Sequence, residues 1–152
     1  MIGDRALSRL SMRRWYGVAP DVVFRAFTEA QWLERWFCPS PDVTVSVTQL
    51  DVRVGGTYRL LFRFPGERVA VVVGEYRAIA RPHQLAFTWT WEPPDPHAGL
   101  ETLVTLQLRP KDGGTELVLT HEGFPTAPLM RQHEGGWGTT LDRLQGALQL
   151  DE

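Results

Sequence analysis

Cysteine is nearly missing from this sequence. Cys38 is the only one, so no disulfide can close within the chain, and a reducing compartment is the natural setting. Long apolar runs are missing too. None approaches the roughly 20 residues that cross a bilayer, and residues 1–10, Met-Ile-Gly-Asp-Arg-Ala-Leu-Ser-Arg-Leu, lack the apolar core of a secretory leader. The expectation is a cytoplasmic protein without a membrane span. Charge of one sign is also scarce: the formal net charge is -2, with acidic and basic residues interspersed. That leaves no basic face to neutralise phosphates, so no nucleic-acid partner is expected. No pair of histidines, nor a histidine with Cys38, has zinc-site spacing. A glycine-rich phosphate loop, a Gly-x-Ser-x-Gly elbow and a dinucleotide fingerprint are all absent. The sequence therefore predicts no metal and no cofactor.

What is present reads as one domain over residues 1–152, long enough to bury roughly 70% of the surface of its unfolded form. No internal repeat, low-complexity segment or linker interrupts it. Residues 7–16 alternate loosely, with Leu10 and Met12 on one face, and predict a first strand closed by Gly17. Pro20 and Asp21 then suit a helix start, because proline lacks only an N–H that would be unpaired there and the carboxylate meets the positive end of the dipole. Val23, Ala26, Phe27 and Ala30 share one face. Thr28-Glu-Ala-Gln31 matches a capping box, which predicts a second short helix over Glu29–Trp36 with Trp32, Leu33 and Trp36 turned inward.

From Val43 to Glu122 the apolar period changes to two, the period of strands. Six are expected: Val43–Val52, Tyr58–Phe64, Val69–Ile79, Leu85–Trp91, Thr102–Leu108 and Thr115–His121. Gly55-Gly56, Pro65-Gly66, Pro82-His83 and Asp112-Gly113-Gly114 separate them, the last as a hairpin turn. Glu92–Glu101, with three prolines, is the longest loop and a natural cavity rim. After His121-Glu-Gly-Phe-Pro125, Met130, Trp137, Leu141, Leu144 and Leu148 fall on one stripe of a helix from Thr126 to about Gln149. A curved sheet has an apolar face to cover, and one long helix laid across it covers that face. Sheet and helix should enclose a pocket.

Seven pieces in order resemble a known family: Pro20-Asp-Val-Val-Phe-Arg-Ala-Phe-Thr28, Trp32-Leu-Glu-Arg-Trp36 with Pro39, Gly55-Gly-Thr-Tyr58, Gly74-Glu-Tyr76, Leu85-Ala-Phe-Thr-Trp89, Gly114-Thr-Glu-Leu-Val-Leu-Thr-His-Glu-Gly-Phe124, and Gly136-Trp137 with Leu141 and Leu144. The chain is similar over nearly its whole length to the bacterial AHSA1-like family, related to the activator of the Hsp90 ATPase, in the SRPBCC or START-like helix-grip superfamily. The resemblance implies an α+β helix-grip (START/Bet v 1-like) fold. In it a seven-stranded curved antiparallel sheet, with two short helices after the first strand, grips a long C-terminal helix around an apolar cavity. Family members commonly carry Trp-Trp-Gly-Pro where this chain has Trp36-Phe37-Cys38-Pro39, a departure expected to alter the pocket mouth. Fold alone does not name a chemistry, since the same scaffold serves carriers, receptors, cyclases and a co-chaperone domain.

Trp32, Trp36, Tyr58, Phe62, Phe64, Phe87, Trp89, Trp91, Phe124 and Trp137 either line a cavity or fill a solid core, and the resemblance favours the cavity. With Met130, Leu141, His121 and His133 they form the expected ligand-binding set, the histidines or a tryptophan N–H orienting the ligand. Gly135, Gly136 and Gly138 each cost a helix about 1 kcal/mol relative to alanine. They either thin the helix beside Trp137 for a ligand, or mark a frayed start or close backbone packing. His121, His133 and Glu134, with Glu75 near in the sheet, invite an acid–base reading. Against it stand a polar contact at the end of the last strand and a solvated helix face. No catalytic residue is assigned. Cys38 reads as a small half-buried residue, and His83 and His97 as surface groups. The expectation is a binder of a hydrophobic or aromatic small molecule. Two alternatives are kept: a cyclase, dehydratase or hydrolase-like enzyme using the same cavity, and a co-chaperone-like interaction module. An Hsp90-type partner is disfavoured, because the co-chaperone carries an additional domain for which this chain has no room. A homodimer through an exposed edge strand is compatible with the pattern.

Overall fold

The computed structural model describes residues 8–150, and its elements follow the order β1 (Ser8–Tyr16), α1 (Pro20–Thr28), α2 (Ala30–Trp36), β2 (Thr44–Leu50), β3 (Thr57–Arg63), β4 (Val69–Ala80), β5 (Gln84–Trp91), β6 (Thr102–Lys111), β7 (Gly114–Phe124) and α3 (Ala127–Leu150). Leu7, placed by the sequence at the start of the first strand, lies outside the described residues, as does most of the stretch read for a leader. The strands make one antiparallel sheet in the order β1-β7-β6-β5-β4-β3-β2. Alternation decides its faces. Leu10, Leu119, Leu106, Leu85, Tyr58, Leu60 and Phe62 are buried on the concave side, while Arg13, Gln107, Arg77 and Arg63 stand exposed on the convex one. Register shifts between Ser8 and Arg9, Val47 and Gln49, and Tyr76 and Ala78 bend the sheet.

Local chemistry sets the turns. Lys111 pairs with Gly114 across Asp112 and Gly113, which have φ of 50° and 77°, so the β6–β7 hairpin closes through a two-residue turn of the left-handed kind that Asp-Gly favours. Inside the sheet, Gly74 pairs with Tyr58, and a Cβ there would stand 1.9 Å from the Thr88 carbonyl oxygen and 2.4 Å from the Tyr58 ring. The Tyr58 ring lies across Gly74 and its hydroxyl donates to that same carbonyl.

Helix α1 begins with Pro20 in its first turn after Ala19, as its sequence dictates. The capping box does not form. Thr28 is still helical and buried, its hydroxyl donating to the Phe24 carbonyl at 2.8 Å, and Glu29 is the N-cap of α2 without a side-chain capping bond, its carboxylate meeting Arg25 instead. One residue separates the two helices, too short an excursion to release Thr28 from the first. Trp36 ties them together by donating its indole N–H to the Ala26 carbonyl at 2.9 Å.

Helix α3 crosses the concave face with Leu129, Trp137, Leu141, Leu144 and Leu148 buried. The Tyr16 hydroxyl donates to the Leu141 carbonyl at 2.9 Å, and the Thr140 hydroxyl to the Cys38 carbonyl at 3.0 Å. The helix runs unbroken through its glycines. A Cβ at Gly135 would meet nothing within 4 Å, and one at Gly136 only Pro39 at 3.7 Å, so neither fraying nor tight backbone packing accounts for these two. Strand β7 continues to Phe124, three residues past its expected end at His121, bending at Gly123 where φ is 104°.

Candidate functional site

A cavity of about 570 Å³ opens between the concave sheet and α3. Phe62 and Phe64 wall it from β3 and the turn after it, Val69 and Ala70 from β4, and Trp89 and Trp91 from β5. Phe37 and Pro39 close it behind α2, and Gln132, His133, Gly136, Trp137 and Thr140 line it from α3. Arg68 and the loop residues Pro94, Asp95, Pro96 and His97 form its mouth, where all but Asp95 are exposed. Phe37 and Trp89 separate it from a second void of about 20 Å³ bounded by Phe27, Leu33, Tyr58, Tyr76 and Phe87, room for about one water.

Six of the fourteen residues expected at the site line the large cavity: Phe62, Phe64, Trp89, Trp91, His133 and Trp137. Tyr58 and Phe87 face only the small void. Trp32, Trp36, His121, Phe124, Met130 and Leu141 line neither. Trp36 is spent tying α1 to α2, and Trp32 lies under the Arg35 guanidinium at 5.1 Å. Phe124 stacks behind the histidines, its ring 4.5 Å from that of His121 and 4.8 Å from that of His133. Leu141 is fully buried on α3. The expected set omitted Phe37, Pro39, Arg68, Val69, Ala70, Gln132 and Thr140, whereas Gly136 and the 92–101 loop lie at the cavity as the helix-thinning and rim readings had them. Phe37 and Pro39 stood in the segment that departs from the family pattern. The polar lining residues Arg68, Gln132 and Thr140 had no periodic signal.

The histidines are held inside a hydrogen-bond network. Trp137 Nε1–H donates to His121 Nδ1 at 3.0 Å, which leaves the proton of His121 on Nε2. That N–H meets Thr102 Oγ1 at 2.7 Å, and the Thr102 hydroxyl donates onward to the Trp89 carbonyl at 3.0 Å. Trp91 Nε1–H donates to His133 Nε2 at 3.1 Å, and His133 Nδ1–H donates to the Leu129 carbonyl at 3.0 Å. Every imidazole nitrogen is engaged. Burial, with His133 close by, pushes the His121 pKa from 6.5 down to about 2, and burial lowers that of His133 as well. In this arrangement neither ring has a free lone pair with which to accept a proton. His121 is thus a fully buried polar contact in the last stretch of β7, as the non-catalytic reading had it, whereas His133 is half-buried in the cavity wall and not on a solvated face. His97, read as a surface group, is exposed but stands at the cavity mouth. Glu75 is not their partner. It lies on the convex side between Gly74 and Tyr76 and meets Arg77 at 3.6 Å, while Glu134 is exposed.

Charge is confined to the mouth. The Arg68 guanidinium sits 4.4 Å over the Phe64 ring, and the Asp95 carboxylate accepts the His97 backbone N–H at 2.8 Å. The third indole of the wall differs from the other two: Trp89 Nε1 is buried without an acceptor. Among the described residues no group of three or more His, Cys, Asp or Glu could hold a metal ion, and no helix is long and apolar enough to cross a membrane.

Residues 18–149 match the family profile described as Activator of Hsp90 ATPase homolog 1-like protein, AHSA1. The chain belongs to this family. Solved AHSA1-like structures share its architecture. The AHSA1 protein of Silicibacter pomeroyi is 25% identical with a TM-score of 0.83, over 95% of this chain and 100% of that one. A Chromobacterium violaceum protein is 26% identical with a TM-score of 0.82, over 91% of this chain and 94% of that one. A Staphylococcus epidermidis protein at 21% identity, covering 100% of this chain and 96% of its own, shares the fold with a TM-score of 0.80. A comparison with curated proteins finds no match. AHSA1-like folds commonly bind hydrophobic ligands.

Proposed function

We propose that this AHSA1-like protein binds a mainly apolar or aromatic small molecule in the cavity between the sheet and α3. One observation carries the reading: about 570 Å³ walled by Phe37, Phe62, Phe64, Trp89, Trp91 and Trp137, with charge only at the mouth. Cavities of ~300–1,000 Å³ with such walls suit small organic ligands. Trp91 and Trp137 are pinned through their indole nitrogens, so the wall stands ready before a ligand arrives and little ordering cost falls on binding.

Gly136→Leu tests the location. The Cβ of residue 136 would meet only Pro39, at an ordinary 3.7 Å, so the added side chain has the cavity as its room. Removing a helical glycine is favourable by about 1 kcal/mol, so the variant should fold at least as well as the native protein. Fatty acids, sterols, flavonoids and polyketide-like aromatics are to be compared by thermal unfolding followed through tryptophan fluorescence. Any ligand that raises the melting temperature of the native protein should lose that effect in the variant. A response undiminished by Gly136→Leu would place binding elsewhere and overturn the reading.

A further inference from the structure

The cavity is aromatic in depth and charged only at its mouth, so an apolar body and a polar end would find different surroundings in it. No cation is available in the deep wall. Trp91 and Trp137 give their N–H groups to His133 and His121, whose other nitrogens are also engaged, and burial favours the neutral form of both imidazoles. A charged group lodged there would be desolvated without a counter-charge. At the mouth, Arg68 is the one lysine or arginine among the described residues that lines the cavity. Its guanidinium lies 4.4 Å over the ring of Phe64, itself a wall residue. It joins no ion pair among the described residues, whereas Arg59 and Arg77 are each paired with an acidic side chain. Packing against a ring holds a guanidinium in place and leaves its in-plane N–H donors free for a planar acceptor.

We propose that the ligand of this cavity is an amphipathic monocarboxylate, its aromatic or aliphatic body among the indoles and its carboxylate at the mouth on the Arg68 guanidinium. This rests on the cavity being the ligand site and adds which end of the ligand carries charge, and of which sign. Arg68 is exposed, so the carboxylate keeps part of its hydration and the pairing escapes the cost of a buried ion pair. Asp95, the one acidic residue lining the cavity, accepts the His97 backbone N–H of its own loop at 2.8 Å and so is already engaged where an ammonium would seek it. Its charge also disfavours a second negative charge on the ligand.

Biphenyl-4-carboxylate, biphenyl-4-carboxamide and 4-phenylbenzylamine test it, because they share one aromatic body and carry at neutral pH a negative charge, none and a positive charge. Dissociation constants are measured by isothermal titration calorimetry on the native protein, Arg68→Gln and Gly136→Leu. Residue 68 is exposed, so Arg68→Gln should fold as the native protein does. The native protein should bind the carboxylate about fivefold more tightly than the carboxamide, the scale of an exposed ion pair, and the amine least tightly. Added salt should shrink the preference. Arg68→Gln should abolish it while binding the carboxamide as before, and Gly136→Leu should weaken both. Equal native affinity for carboxylate and carboxamide, a preference that survives Arg68→Gln, or tightest binding of the amine would overturn the anionic end. Loss of binding in Gly136→Leu would in those cases leave the cavity reading standing. Carboxylate binding undiminished by Gly136→Leu would put an anion site outside the cavity and overturn both, as would absence of binding by all three probes.

Discussion

His121 shows how burial disposes of a group that looks catalytic in isolation. It has no exposed surface, lends Nδ1 to Trp137 and gives its proton to Thr102. The unfolded chain takes up a proton at this residue as the pH falls below about 6.5, whereas the folded chain refuses it until about 2. Stability from this group is therefore complete above the unfolded pKa and is lost as the pH falls through that window, by about 1.4 kcal/mol per pH unit. His133 shifts in the same direction and adds to the trend. From pH 7 to pH 5.5 the unfolding free energy from urea titration should drop by at least about 1 kcal/mol. His121→Phe should flatten the slope whatever it does to the absolute value, and a slope unchanged in that variant would assign the effect to other groups. The two histidines stand twelve positions apart along the chain, and nothing in that spacing shows that two indoles claim them.

Two glycines in different elements are expected to behave oppositely on gaining a methyl group. Gly74 lies inside β4 where the Thr88 carbonyl and the Tyr58 ring occupy the space of a side chain. Gly74→Ala must part β4 from β5 or eject Tyr58, and should cost more than about 3 kcal/mol, read as a fall in the denaturant midpoint. Gly135 lies within α3 with nothing near it. Gly135→Ala should stabilise by about 1 kcal/mol and raise the melting temperature by roughly 2–4 °C. Turn glycines were legible from sequence because Asp112-Gly113 carries its own conformational signal. The role of Gly74 was not, since it depends on a tyrosine sixteen positions away crossing over it in the paired strand.

At the scale of the molecule, the indole and imidazole bonds join β5, β6, β7 and α3 around the deep wall of the cavity, while its mouth is made by the 92–101 loop and the turn before β4. A ligand that binds only this folded form should add its binding free energy to stability. At 100 times its dissociation constant the gain is about 2.7 kcal/mol, or roughly 5–11 °C in melting temperature. The rise should continue with ligand concentration, and a plateau at equimolar ligand would contradict simple occupancy of the cavity.

Element order, the face each strand buries, the long final helix and the β6–β7 turn follow from the sequence alone. Each depends on residue types only a few positions apart: a period of two or 3.6, a proline at a helix start, an Asp-Gly pair. The division of the aromatic residues into wall and core does not. Phe87, Trp89 and Trp91 alternate identically, yet Phe87 faces the small void, Trp91 the large cavity and Trp89 both. Period two assigns a face but not a depth along it. Depth is decided by strand register and by where α3 and the segment after α2 cross the sheet, and these are contacts between residues far apart in the chain. Only the tertiary structure, for the same reason, turned His121 and His133 from a candidate acid–base pair into acceptors for two indoles and buried the Trp89 indole nitrogen without a partner.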